Sequence, residues 1–233
     1  MFRKTLTAIA FTALTIGSAQ ALTIDDFSFA QGLSANPGPS SSTATDGSII
    51  GGDRDATIVR DSGSQPATLI FDSGGNGTMA ISNATGGTST STVLWDGVAG
   101  AGIGSLDFTV GGAQDAFDLR VVANDFAAAV TITVFTDAGN AASLTHNSPG
   151  GISGPANIPF LFEFADFVTL LGTGADFTSI GAIVLDVDTS LNNATDIELD
   201  FFGTTTTTVP EPAALAILGL GLAGLGFARR RRG

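Results

Sequence analysis

From Leu22 to Phe202 the chain is written in short runs in which apolar and polar positions alternate. Leu22, Ile24, Phe27 and Phe29 open the series among polar neighbours. Thr57-Ile58-Val59, Thr68 to Phe71, Met79-Ala80-Ile81 and Val93-Leu94-Trp95 follow, then Phe108-Thr109-Val110, Phe117 to Val122 and Val130 to Phe135. Phe160, Phe162 and Phe164 alternate strictly, and Ile180 to Val187 and Ile197 to Phe202 close the set. Turn residues such as Asp72 to Gly77, Gly86-Gly87, Gly111-Gly112 and Asp137 to Asn140 separate them. A period of two, broken at such intervals, predicts an all-β antiparallel β-sandwich or barrel. Many short strands on long loops favour a jelly-roll, with an immunoglobulin-like sandwich as the alternative. Residues 30–48, rich in Ser, Ala, Gly and Pro, read as one long loop, and a short helical turn fits Phe164 to Leu171.

The ends follow other rules. Arg3 and Lys4 precede an apolar stretch from Leu6 to Ile16, and Ala19-Gln20-Ala21 supplies a small-x-small site. This is the layout of a secretory signal helix, cut between Ala21 and Leu22 by signal peptidase after Sec export. At the other end Val209-Pro210-Glu211-Pro212 leads into an uncharged stretch from Ala213 to Ala228, followed by Arg229, Arg230, Arg231 and Arg232. A helix over 213–228 spans about 24 Å, which snorkelling arginines extend toward a hydrocarbon core of about 30 Å. The arginines mark the cytoplasmic side, so both ends place the middle of the chain outside. The division is therefore a signal peptide at 1–21, a β-sandwich at 22–202, a Gly/Thr linker at 203–208 and a tail at 209–233.

That tail resembles the PEP-CTERM sorting signal. The likeness rests on Pro210-Glu211-Pro212, a short helix carrying Gly219, Gly221, Gly224 and Gly226, and the cluster Arg229 to Arg232. It implies processing by exosortase, a membrane-embedded cysteine transpeptidase of Gram-negative bacteria that produce exopolysaccharide. Pro210, Glu211 and Pro212 are then substrate residues, and the arginines stop translocation. Thr23 to Phe27 and Ile180 to Asp186 bear a fainter resemblance to galactose-binding-like carbohydrate modules.

Charge narrows the function. Residues 22–209 hold 21 acids against Arg54, Arg60 and Arg120, a net charge of −18. Such a surface repels phosphate backbones, so nucleic acid is excluded as a partner. No Cys and a single His remove thiolate chemistry and any two-His metal site. Acids are the remaining reactive groups. Asp25 and Asp26 start the sandwich, and Asp186, Asp188, Asp196, Glu198 and Asp200 gather near its end. First and last strands are neighbours in many jelly-rolls, so Asp25, Asp26 and Asp200 are candidate Ca2+ ligands, although no cofactor is required. Glu163 and Glu198, the only Glu residues of the middle, could form a glycosidase pair, alone or with Asp substitutes, but both sit at outward positions of alternating strands. His146 would be needed for a Ser-His-Asp triad, and no Gly-x-Ser-x-Gly elbow accompanies it. Trp95 is a candidate sugar platform; with no tyrosine, little else could share that task.

The reading is an exported, non-enzymatic surface or matrix protein. Its precursor is held in the inner membrane with the sandwich in the periplasm. Exosortase then delivers it to the cell surface or exopolysaccharide matrix of a biofilm. A carbohydrate-binding module with structural Ca2+ is the alternative, and a secreted polysaccharide hydrolase the third reading.

Overall fold

The computed structural model describes residues 20–154 and 156–207. Most of the expected signal helix, the helix at 213–228 and the residues Pro210 to Pro212 and Arg229 to Arg232 lie outside that range, as does Ala19. Among the described residues no helix is long and apolar enough to cross a membrane.

Among the described residues fourteen strands form the body: β1 (Thr23–Asp25), β2 (Gln31–Ala35), β3 (Ser40–Thr45), β4 (Asp53–Ser62), β5 (Ala67–Phe71), β6 (Thr78–Asn83), β7 (Thr88–Trp95), β8 (Ala116–Asn124), β9 (Ala129–Asp137), β10 (Asn140–Asn147), β11 (Ile158–Glu163), β12 (Val168–Leu171), β13 (Ala182–Asp188) and β14 (Ile197–Thr205). They make two antiparallel sheets. The first runs β11-β8-β14-β6-β5-β2, with β1 also paired to β14, and the second runs β12-β10-β9-β13-β7-β4-β3. The alternation seen in the sequence has the expected cause. Val130, Ile132 and Val134 of β9, Ile183, Leu185 and Val187 of β13, and Phe117, Leu119 and Val121 of β8 all point into one core and are buried. Phe117 is its hub, in ring contact with Phe108, Phe164, Phe167, Phe177 and Phe202.

First and last strands are neighbours, as expected. β6 pairs with the early part of β14 and β1 with its later part, opposite Phe202 and Gly203. A bulge makes this possible. Phe201 takes φ +47° between Asp200 and Phe202, and the register to β8 shifts there. The extra residue lets Phe202 turn into the core although Leu199, an odd three positions before it, does too.

Three expectations are corrected. Residues 30–48 hold β2 and β3 rather than one loop. Their inward positions are small, Leu33, Ala35 and Ala44, so the apolar signal is weak. The helical turn covers Phe164–Asp166 alone, and Val168–Leu171 is an edge strand. The linker expected at 203–208 is strand as far as Thr205. Gly203 permits the close approach of β1, since a Cβ there would lie 2.7 Å from the Leu22 carbonyl oxygen. Thr204 is buried, its N–H donates to Leu22 O at 2.8 Å, and its Oγ1 accepts the Leu22 N–H at 2.9 Å. Beyond the strand, Thr207 donates its N–H and its hydroxyl to the Asp115 carboxylate at 2.6 and 2.9 Å.

Candidate functional site

A groove of about 660 Å3 opens on the outer face of the second sheet. Its floor is Leu94 of β7, Val184 of β13 and Phe135 of β9, with Ala182 beside them. Val184 lies opposite Leu94, and Ala182 opposite Phe135, so the floor is continuous across three strands. One wall is the loop from Gly97 to Ser105, and the other is the turn at Thr136 to Ala138. Asp96 and Asp137 stand at the margins. The volume lies within the range of about 300–1,000 Å3 usual for small-ligand sites. An apolar floor with carboxylates and hydroxyls at its rim can hold a ligand that has one apolar face and many hydroxyl groups.

The wall loop is held by close backbone packing. Gly97 adopts φ +75° and ψ 157°, and a Cβ there would lie 2.2 Å from Gly102 O. The Gly102 N–H donates to Asp96 O at 2.5 Å, and the Ile103 N–H to Gly181 O at 2.9 Å. The second bond staples the loop to the start of β13.

The residues singled out in the sequence fall elsewhere. Trp95 is fully buried, one position from the groove floor but on the opposite face of β7. Its indole N–H donates to Asp25 Oδ2 at 3.0 Å and its ring packs on Phe202. A sugar platform needs an exposed ring, so that expectation is corrected. Asp25 is also fully buried, and it pairs with Arg54 at 2.8 Å. Arg54, which the sequence reading passed over, is itself wholly buried. It donates further to Phe29 O at 2.8 Å and Gln31 Oε1 at 2.9 Å, and lies 3.6 Å above the Phe71 ring. Burial pushes the Asp25 carboxyl above the ordinary range, while Arg54, the Trp95 N–H and the Phe27 N–H pull it back. This polar bolt joins β1, β2 and β5 of one sheet to β4 and β7 of the other. Asp25 is thus spent on Arg54 and does not join Asp26 and Asp200 as a calcium ligand. The signal for Arg54 was present: it shares the inward phase of β4 with Ala56 and Ile58.

Glu163 and Glu198 lie on different strands, opposite Ala116 and Ala123 of β8. Seven positions along a strand is about 23 Å, far beyond any glycosidase spacing. His146 packs its ring on Phe162 at 5.0 Å. Among the described residues no group of three or more His, Asp or Glu side chains is arranged to hold a metal ion.

Much of the acidity is used in turns. Asp26, Asp46, Asp107, Asp176 and Asp188 each accept the N–H of the Ser or Thr two residues on. Asp-x-Ser/Thr is the sequence signal for this, by the local bonding that favours Asp in turns. The Ser48 N–H and hydroxyl hold Asp46 below the ordinary carboxylate range; the Thr109 hydroxyl and Gly111 N–H do so for Asp107. The Gly139 N–H and Asn140 amide act likewise on Asp137, and the Thr178 hydroxyl and N–H on Asp176. Burial pushes Asp200 up; the Phe201 N–H and Arg120 oppose it, and Asp26 and Glu198 add to it. A lowered carboxylate gives stability that is lost as pH falls below about 3.9. A raised one, as at Asp25 and Asp200, gives stability that is lost as pH rises above that value. Denaturation midpoints should therefore peak on the acid side, near pH 4–5, and fall in both directions. A midpoint that climbs steadily to pH 7 would contradict this.

Residues 208–232 match the family model described as the PEP-CTERM protein-sorting motif, and the chain carries that motif. No curated protein matches the chain in sequence. Among solved structures, similarity extends to a family 11 carbohydrate-binding module from Clostridium thermocellum in complex with a β-1,3-1,4-mixed-linked tetrasaccharide. The two share 10% identity at a TM-score of 0.41, over 80% of this chain and 95% of that one. TmCBM61 in complex with β-1,4-galactotriose shares 10% identity at 0.32, over 78% and 90%. An exo-β-agarase shares 14% identity at 0.40, over 84% and 26%.

Proposed function

We propose that this is an exported, non-enzymatic surface protein, sorted by exosortase at Pro210-Glu211-Pro212, whose sandwich binds polysaccharide in the groove over Leu94, Val184 and Phe135. The sorting motif at 208–232 carries the first half of this reading. The precursor is held by its tail with the sandwich in the periplasm, and the processed protein joins the cell surface or exopolysaccharide matrix. The groove carries the second half. Its floor suits the apolar face of a sugar ring, and Asp96, Asp137, Thr136 and Ser105 can accept or donate hydrogen bonds to hydroxyls. We read the sandwich as a jelly-roll of the galactose-binding-like kind, supported by a chain that passes repeatedly between the sheets, as from β6 to β7, to β8 and to β9. The wide separation of Glu163 and Glu198 favours binding over hydrolysis.

Two measurements test the halves separately. Intact mass of the protein from native cells should give a species from Leu22 to near Pro210 when exosortase is present. A species retaining Ala213 to Gly233 with or without the enzyme would defeat the sorting half. On a glycan array the protein should bind a polysaccharide class, and Phe135→Ala should weaken that binding at least tenfold. Equal binding by Phe135→Ala and Val184→Ser would remove the groove from the reading.

A further inference from the structure

Beside the groove two carboxylates face each other with nothing in the described chain to neutralise them. Asp55 is opposite Leu94 at the end of the β4–β7 ladder, and carrying that register two positions on puts Asp53 beside Asp96 on the same face, close enough for their charges to interact. Asp53 lies opposite Thr45 of β3 on its other side. Loops 46–52 and 97–102 close over this row; a Cβ on Gly51 would lie 3.0 Å from Gly97 Cα. Asp53 is 3% exposed, and its Oδ1 is buried without a hydrogen-bond partner among the described residues. Asp96 Oδ1 is in the same condition. Asp55, the next carboxylate along β4, accepts the Thr43 hydroxyl. Like charges directly opposite one another across a ladder are destabilising, and buried unpaired charge more so.

Among the described residues no arginine supplies the neutralising charge. Arg54 faces the core and is paired with Asp25, Arg60 donates to Asn36 Oδ1 and Gln65 O, and Arg120 pairs with Asp118. Burial, with Asp55 and Asp53 close by, pushes the Asp96 carboxyl up. The chemistry present is hard oxygen in two glycine-containing loops. Calcium takes six to eight such oxygens at flexible angles and accepts backbone carbonyls and water along with carboxylates. Two carboxylates with loop carbonyls and water fit that set, whereas zinc would want nitrogen or sulfur ligands.

We propose that Asp53 and Asp96 hold a calcium ion that pins loops 46–52 and 97–102 together and so sets the wall of the groove. Asp96 also stands at the groove margin, but calcium binding is read without any groove ligand, so this site and the proposed glycan binding fail or hold separately. The full chain, purified in detergent, would be stripped with EDTA and titrated calorimetrically with CaCl2 and with MgCl2, without any glycan. One calcium per chain is expected, with magnesium much weaker. At a hundredfold excess over Kd, calcium should raise Tm by about 5–10 °C. Asp53→Asn and Asp96→Asn should each abolish the calcium shift and, in EDTA, melt no lower than the unsubstituted chain, because each removes one of two like charges. Asp166→Asn, on the exposed surface, should keep the shift. No heat and no shift with the unsubstituted chain would overturn the proposal. So would a full calcium shift in both Asn variants, which would put the ion elsewhere.

Discussion

Replacing Arg54 with methionine should cost about 3–5 kcal/mol of folding stability, because the partner left behind is a buried carboxylate without its cation. Asp25 would keep the Trp95 and Phe27 N–H bonds at 3.0 and 2.8 Å but lose its charge partner. Its folded pKa, already raised by burial, would rise further. A carboxyl raised in the folded state gives stability that is complete below about pH 3.9 and is lost as pH climbs to the new value. The Arg54→Met deficit should therefore be smallest near pH 4 and largest at neutrality. Paired urea titrations of the two proteins at pH 4 and pH 7 measure this. A loss of the same size at both pH values would mean that Arg54 contributes packing over Phe71 rather than charge. Arg54→Lys is expected to fail almost as badly, since an ammonium does not reach Asp25, Gln31 and Phe29 as the planar fork does.

Gly97→Ala should cost about 2–4 kcal/mol and remove ligand binding with it. The conformation at φ +75° and ψ 157° is open to glycine and nearly closed to other residues, at about 1–3 kcal/mol. A methyl at 2.2 Å from Gly102 O must also drive the two backbones apart. Gly102 donates to Asp96 O, so the displacement passes straight to the carboxylate at the groove margin. Gly86→Ala, away from the groove, is the control, because a Cβ there meets nothing within 4 Å, although its φ of +80° adds some strain. Thermal melts and glycan binding measured on both variants separate the effects. Unchanged melting and binding in Gly97→Ala would show that the wall relaxes freely and does not shape the groove.

The strand pattern was legible because the core is built from period-two runs, and the long runs of β8, β9 and β13 could be read without the structure. Strands β2 and β3 were not, because their inward positions are Ala44, Ala35 and Leu33, too small and too few to stand out from a Ser-rich loop. Gly203 to Thr205 looked like a spacer for a related reason. Its role is a close backbone approach and a buried hydroxyl, and neither leaves an apolar trace. The candidate site was half legible. Val93-Leu94-Trp95, Val134-Phe135 and Ile183-Val184-Leu185 are unbroken apolar runs where strict alternation would leave the outer face polar. Read as three such breaks, they mark the groove floor; read as core, they sent attention to Trp95, the one of the set that faces inward. The acids misled in the opposite way. The expected pairing of first and last strands suggested a metal cluster at the domain ends, while Asp25 has a partner 29 residues away that only pairing across the sandwich reveals.

One feature of the first sheet bears on timing. β14 lies between β8 on one side and β6 and β1 on the other, so that sheet stays open until the last strand is in place. On the proposed export route the chain emerges N-terminus first, and β1 waits through about 180 residues of synthesis for its partner. Thr205 ends the strand, Thr207 is latched to Asp115, and the sorting motif begins at residue 208. Closure of the sandwich and arrival of the motif at the membrane are then a single event. A slow-closing variant would hand the enzyme a tail whose domain is still unfolded.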